Sequence, residues 1–129
     1  MAIQRFEDLV IWQEARLLCS KIYKEFSDSR DFGFRDQIQR AAVSIMNNIA
    51  EGYDRSKQSK DNKQFISFLN IAGGSCGEVK SMLYLASDLS YISNEKSLQL
   101  RNKCLSITMK ISTLMTTLQE NNGQNNRNT

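Results

Sequence analysis

The sequence has no histidine and no proline among its 129 residues. Without an imidazole there is no histidine-assisted Ser or Cys nucleophile, no His-ligated zinc and no Glu-x-x-His di-iron centre. Without proline the strongest helix breaker is missing. Cysteine is scarce: Cys19, Cys76 and Cys104 stand 57 and 28 residues apart, with no C-x-x-C pair. An odd, scattered set of thiols is expected to be reduced core filler. No apolar run approaches the ~20 residues that a membrane helix needs, and the start MAIQRFEDLV lacks the apolar region of a signal peptide. These absences predict a cytoplasmic protein with no metal, no cofactor and no membrane contact.

What is present is ordinary for a soluble domain. Apolar residues make up 40% and charged residues 24%, a balance that argues against wholesale disorder and suits one core rather than two. The net charge of +3 is a mild basic bias, which permits an acidic partner without requiring one.

Apolar spacing is helical almost throughout. A first stripe over about 7–27 carries Ile11, Ala15, Leu18, Ile22 and Phe26, widened by Trp12, Cys19 and Tyr23. A second over about 34–54 carries Phe34, Ile38, Ala41/Ala42, Ile45 and Ile49. A third over about 60–90 runs from Phe65 and Phe68/Leu69 through Ala72, Cys76, Val79, Leu83 and Ala86 to Leu89. The fourth, about 95–120, shows Leu98, Leu105, Ile107/Thr108, Ile111, Leu114/Met115 and Leu118. Steps of three and four return these positions to one helix face, which must find a core. Between the stripes lie polar connectors with capping residues, among them Ser59, Asp61, Ser93 and Asn94. Short connections make successive helices antiparallel neighbours, so the expected fold is all-α, an up-down-up-down four-helix bundle over residues 1–120. The remainder, 121–129 (NNGQNNRNT), reads as a disordered polar tail.

Helix two carries a second, hydrophilic stripe: Gln37, Arg40, Ser44, Asn47/Asn48 and Glu51. A solvated face favours Lys and Glu, so amides and a hydroxyl there leave three readings: plain solvation, a buried or interfacial polar network, or a catalytic use. In the network reading, Gln37, Arg40, Ser44, Asn48, Glu51 and Glu78 set register, with Arg40 held by Glu51 or Glu78. Helix three contains Gly73-Gly74-Ser75-Cys76-Gly77. It is a break, a phosphate-cradling loop without the usual Gly-Lys-Ser/Thr ending, or a small-residue patch against another backbone such as Ala41–Ala42. The last reading is favoured.

Cations gather at Arg55, Lys57, Lys60 and Lys63, and again along helix four at Arg101, Lys103 and Lys110, with no acid between Lys96 and Leu118. Either set is a solvated surface or a phosphate-binding one. Trp12 caps the bundle or anchors a subunit contact. Glu51 and Glu78 have no nucleophile or metal motif around them, so no enzyme is expected.

Three stretches carry a resemblance: Phe6 to Trp12 (FEDLVIW), Phe32 to Gly52 (FGFRDQIQRAAVSIMNNIAEG) and Phe68 to Glu78 (FLNIAGGSCGE). In order and over about residues 5–119, they are similar to the bacterial four-helix-bundle family encoded in intervening sequences of 23S ribosomal RNA genes. That family resembles in turn the accessory protein of diversity-generating retroelements. The resemblance implies a homopentameric ring and binding of RNA or DNA. It places Trp12, Gln37, Arg40, Ser44, Asn48, Glu51, Gly52, Gly74, Ser75 and Glu78 in the family motif. Met46 stands where the family often has proline, Phe34 and Cys76 where it often has leucine, and Lys80 where it tends to have an acid.

The expectation is thus a non-enzymatic homo-oligomer binding nucleic acid through Arg55, Lys57, Lys60, Lys63, Arg101, Lys103 and Lys110. The alternative is a protein-interaction scaffold or structural accessory subunit. The position of the cations decides between them: convergence on one face favours nucleic acid, and scatter beside an exposed apolar patch favours a protein partner.

Overall fold

The computed structural model of the chain describes residues 5–59 and 61–127, with side-chain surroundings up to 123. A short 3₁₀ turn at Phe6–Asp8 leads into α1 (Val10–Phe26), followed by α2 (Phe32–Ser56), α3 (Lys63–Asp88) and α4 (Asn94–Arg127). Among the described residues there is no strand. The four helices pack sequentially and close through α1 against α4, as the short connections require.

Local chemistry accounts for each boundary. The turn at Phe6–Asp8 is tied to α1 by Gln13 Nε2 donating to the Glu7 carbonyl (2.9 Å). Asp31 caps α2 by accepting from the Phe34 N–H (3.1 Å), and its other oxygen accepts from the Tyr91 hydroxyl (2.6 Å). Those two bonds, the hydroxyl first, hold the Asp31 carboxyl below the usual carboxylate range. Phe34 meets Phe26 and Tyr91 edge-on at 5.4 and 5.3 Å, sealing this end of the bundle with rings. At the other end Asp61 Oδ1 accepts from the Lys63 N–H (3.1 Å) at the start of α3. Ser93 caps α4 through the Lys96 N–H (3.0 Å). The α3–α4 turn is a Schellman motif. Ser90 takes φ 61° and the Tyr91 N–H reaches back to the Ala86 carbonyl (2.8 Å).

The core is the set of stripes, with one change of phase. On α1, α2 and α3 the expected positions are buried, except that Tyr23 and Leu89 are exposed and Phe68 is half-buried. On α4 the core positions are Ser97, Leu100, Cys104, Ile107 and Ile111, so Leu98 and Leu105 point outward. Ser97 earns its buried place by donating to the Leu83 carbonyl (2.9 Å). Cys19, Cys76 and Cys104 are free and buried, and the Cys76 thiol donates to the Cys104 carbonyl (3.2 Å). A hydrogen bond between the two thiol groups, and then burial, push Cys104 far up; the same bond lowers Cys76 to about 7, and burial raises Cys19.

The glycines of α3 do not break it: the helix runs through them without interruption. Nor do Gly74 and Gly77 receive the neighbouring backbone as expected, because a Cβ at either would meet nothing within 4 Å. The close approach falls at Gly52, where a Cβ would stand 2.7 Å from Phe68 Cβ and 3.0 Å from Phe65 Cδ1. α4 continues past the expected stop near 120, and Asn122 Oδ1 accepts from the Asn62 N–H (3.1 Å) in the α2–α3 connector. At 34 residues against 17 for α1, it is about 51 Å long beside about 26 Å. Among the described residues no helix is long and apolar enough to cross a membrane.

Candidate interaction surfaces

The hydrophilic row of α2 faces outward along its seam with α3. Gln37 Nε2 donates to Glu78 Oε1 (3.2 Å), Ser44 and Ser75 share a hydroxyl–hydroxyl bond (2.8 Å), and Asn48 Nδ2 donates to the Ser44 carbonyl (2.8 Å) and hydroxyl (3.0 Å). The Ser44 and Ser75 hydroxyls meet across the seam between α2 and α3. Their pairing leaves both half-buried groups satisfied. Arg40 is the exception: among the described residues it has no hydrogen bond or ion pair, and neither expected acid holds it. Glu51 turns one helical turn down the same helix to Arg55, whose Nε and Nη2 reach it at 3.2 and 3.0 Å. Arg40 stands eleven residues up the same helix from Glu51, about 16 Å along the axis and out of reach, whereas Arg55 is its i,i+4 neighbour.

Beside this row α3 presents an uncharged surface. No charged residue occurs between Lys63 and Glu78, Gly74 and Gly77 open onto free space, and Ile71 is 49% exposed between them and Asn70. Such a surface lets another backbone approach closely and desolvates at little cost.

The two carboxylates considered for acid–base chemistry are not neighbours. Glu78 sits beside Gln37 and Glu51 lies 14 residues further along α2, about 21 Å down the axis. A shallow depression of about 560 Å³ is lined by Glu51, Asp54 and Arg55, without Glu78. Among the described residues no group of His, Cys, Asp or Glu could hold a metal.

The cations occupy three separate places. Arg55 lies over the Phe68 ring at 5.5 Å as well as on Glu51, and Lys57 Nζ is 4.9 Å from the centre of the Tyr53 ring. With Lys63 they mark the α2–α3 end; Lys60 lies outside the described residues. Arg101 belongs to the α3–α4 seam, its guanidinium 4.0 Å from the Tyr84 ring centre and its Nε donating to Ser97 Oγ (3.1 Å). Lys103 and Lys110 face α1, where Lys110 pairs with Glu14. Asn122, not Arg101, is the α4 residue at the connector. They stand 21 positions apart, about 32 Å along the helix. Trp12 packs inside its own protomer, 9% exposed, with Phe6 edge-on at 5.1 Å and Arg16 over its ring.

One feature of the surface was hidden in the sequence. Leu98, Leu105 and Met109 are 49%, 45% and 61% exposed on the outward side of α4. A depression of about 710 Å³ is lined by Leu105 and Met109, and one of about 740 Å³ adjoins it, sharing Asn102 and Ser106 and reaching Leu17 and Lys21 of α1. Only the phase of Ser97, Leu100, Cys104, Ile107 and Ile111, a strict 3-4-3-4 series, could have exposed it.

The comparisons agree with this architecture. A crystal structure of a protein of unknown function from the S23 ribosomal protein family of Bacteroides thetaiotaomicron is 25% identical and superposes with a TM-score of 0.73, covering 82% of this chain and 98% of that one. No curated protein matches the chain. The family described as 23S rRNA-intervening sequence protein matches residues 7–113. The chain therefore belongs to the 23S rRNA-intervening sequence protein family.

Proposed function

We propose that the protein is a non-enzymatic scaffold subunit that associates with copies of itself through the outward face of α2 and α3 and offers its remaining surface to another polypeptide. The observation that carries this reading is the uncharged α3 surface with open Gly74 and Gly77, bordered by hydroxyl and amide pairs. Small side chains there leave room for a neighbour, and the unpaired Arg40 at its edge has a charge to give to one. A five-membered ring is the stoichiometry that the family resemblance implies. Light scattering on the wild type and on Gly74→Gln tests the reading. The wild type is a multimer at micromolar concentration and the variant, folded because its new side chain enters open space, is a monomer. A wild-type monomer, or a multimer indifferent to Gly74→Gln, refutes it.

A second reading, nucleic-acid binding, is favoured by the grouping of Arg55, Lys57 and Lys63 at one end of the bundle. Closed rotational symmetry would bring these ends onto one rim, and the resemblance to the retroelement accessory protein points the same way. The scatter of Arg101, Lys103 and Lys110 weighs against one continuous phosphate track. Titration with a structured RNA decides: this reading requires affinity that falls steeply with salt, and the scaffold reading does not.

A further inference from the structure

We infer that the outward face of α4, with the adjoining edge of α1, is a docking groove for an acidic amphipathic helix of a partner protein. The inference deepens the scaffold reading but does not depend on how many copies assemble. Its floor is apolar at Leu105, Met109 and Leu114, and the exposed Leu98 just before it extends the stripe: Leu98, Leu105 and Met109 stand seven and four residues apart, the spacing by which one helix receives the i, i+3/i+4, i+7 anchors of another. From Gln99 to Thr117 the lined stretch is about 27 Å long, room for roughly 18 residues of partner helix.

Charge chooses the occupant. α4 carries no acid between Lys96 and Leu118, and Lys21, Lys103 and Lys110 line the groove. The single acid there, Glu14, is bound to Lys110, while Lys21 and Lys103 have no ion-pair partner among the described residues. On the opposite flank Arg101 lies along the α3–α4 seam. An apolar stripe between cations fits a helix whose own apolar stripe is edged by Asp and Glu. A two-fold contact of this face with itself would set lysines against lysines, which is repulsive, and the uncharged α2–α3 face of a neighbouring copy carries no acids to answer them between Lys63 and Glu78. Phosphate would engage the cations but would leave Leu98, Leu105 and Met109 in water, so the apolar stripe gives nucleic acid nothing.

The test uses fluorescein-labelled synthetic helical peptides of roughly 18 residues, with leucines at the anchor positions and either glutamates or lysines on both flanks. Fluorescence anisotropy on the full chain is expected to show the glutamate peptide binding at least about tenfold tighter than its lysine counterpart, with affinity falling as salt rises. Met109→Glu, exposed and therefore folded, is expected to weaken the glutamate peptide at least about tenfold with an unchanged melting temperature. Lys103→Glu is expected to narrow the preference between the two peptides. Equal binding of both peptides, or indifference to Met109→Glu, overturns the inference. So does displacement of the peptide by structured RNA, or loss of self-association in Met109→Glu, which would make the groove a contact between copies. Light scattering on the same samples separates the two claims: a multimer that ignores the glutamate peptide defeats the groove alone, and a monomer that binds it defeats self-association alone.

Discussion

At Gly52 and Gly74 the same residue type does opposite things. A methyl at Gly52 would collide with Phe68 Cβ at 2.7 Å, and both partners are fixed in a helix pair. Gly52→Ala should destabilise by about 1–3 kcal/mol, as overpacked cores do. Gly74→Ala meets open space, so the protomer should gain up to about 1 kcal/mol from helix propensity. Urea denaturation of both variants measures the contrast; equal effects of one sign would contradict the packing described. Asp31 gives a pH signature. Its carboxyl is held down by the Tyr91 hydroxyl and then by the Phe34 N–H, so the folded state binds fewer protons than the unfolded chain. That contribution is present above the ordinary carboxylate range and is lost as pH falls through it. Asp31→Ala should lower the melting temperature at pH 7, and the gap to the wild type should close at acid pH.

The helices were legible because three of the four stripes are unambiguous. Ile11, Ala15, Leu18, Ile22 and Phe26 form one seam, and the buried residues of α1 match it. The fourth stripe misled because two of its inward positions are Ser97 and Cys104, while Leu98 and Leu105 lie one residue off. Hydropathy ranks a leucine above a serine, but Ser97 has a carbonyl to bond and the leucines have only water. The α2–α3 polar pairing was legible as a row but not as partners, since which acid meets which base depends on rotamers. A measurement at this scale follows. Ile107→Ala should cost about 2–4 kcal/mol as a buried truncation, whereas Leu105→Ala, exposed, should stay within about 0.5 kcal/mol. Equal losses in thermal unfolding would restore the original phase.

For the whole molecule, the sequence pattern reached the four-helix architecture and fell short on the surfaces. A surface is defined by what it leaves uncovered, and hydropathy periodicity reports only what is covered. The dispersed cations show this: Arg55, Arg101 and Lys110 are adjacent in no sense that spacing could reveal, and each is already engaged within the protomer. The buried thiols add a global pH dependence. The hydrogen bond between the Cys76 and Cys104 thiols moves one down and the other up, so their contributions oppose each other, whereas burial raises Cys19, so above the ordinary thiol range near about pH 8.5 the unfolded chain ionises that thiol first and stability falls. Cys19→Ala should flatten that alkaline decline in the denaturation midpoint.

The central claim is that the α2–α3 face is covered by neighbouring copies. A thiol placed there reports directly, because Cys19, Cys76 and Cys104 are buried and a reagent in water meets the surface thiol first. In Gly77→Cys, whose new side chain enters open space, maleimide labelling should be fast in dilute solution and at least about tenfold slower once the protein is concentrated enough to assemble. Labelling equally fast at every concentration, in samples shown to be multimeric, would contradict it.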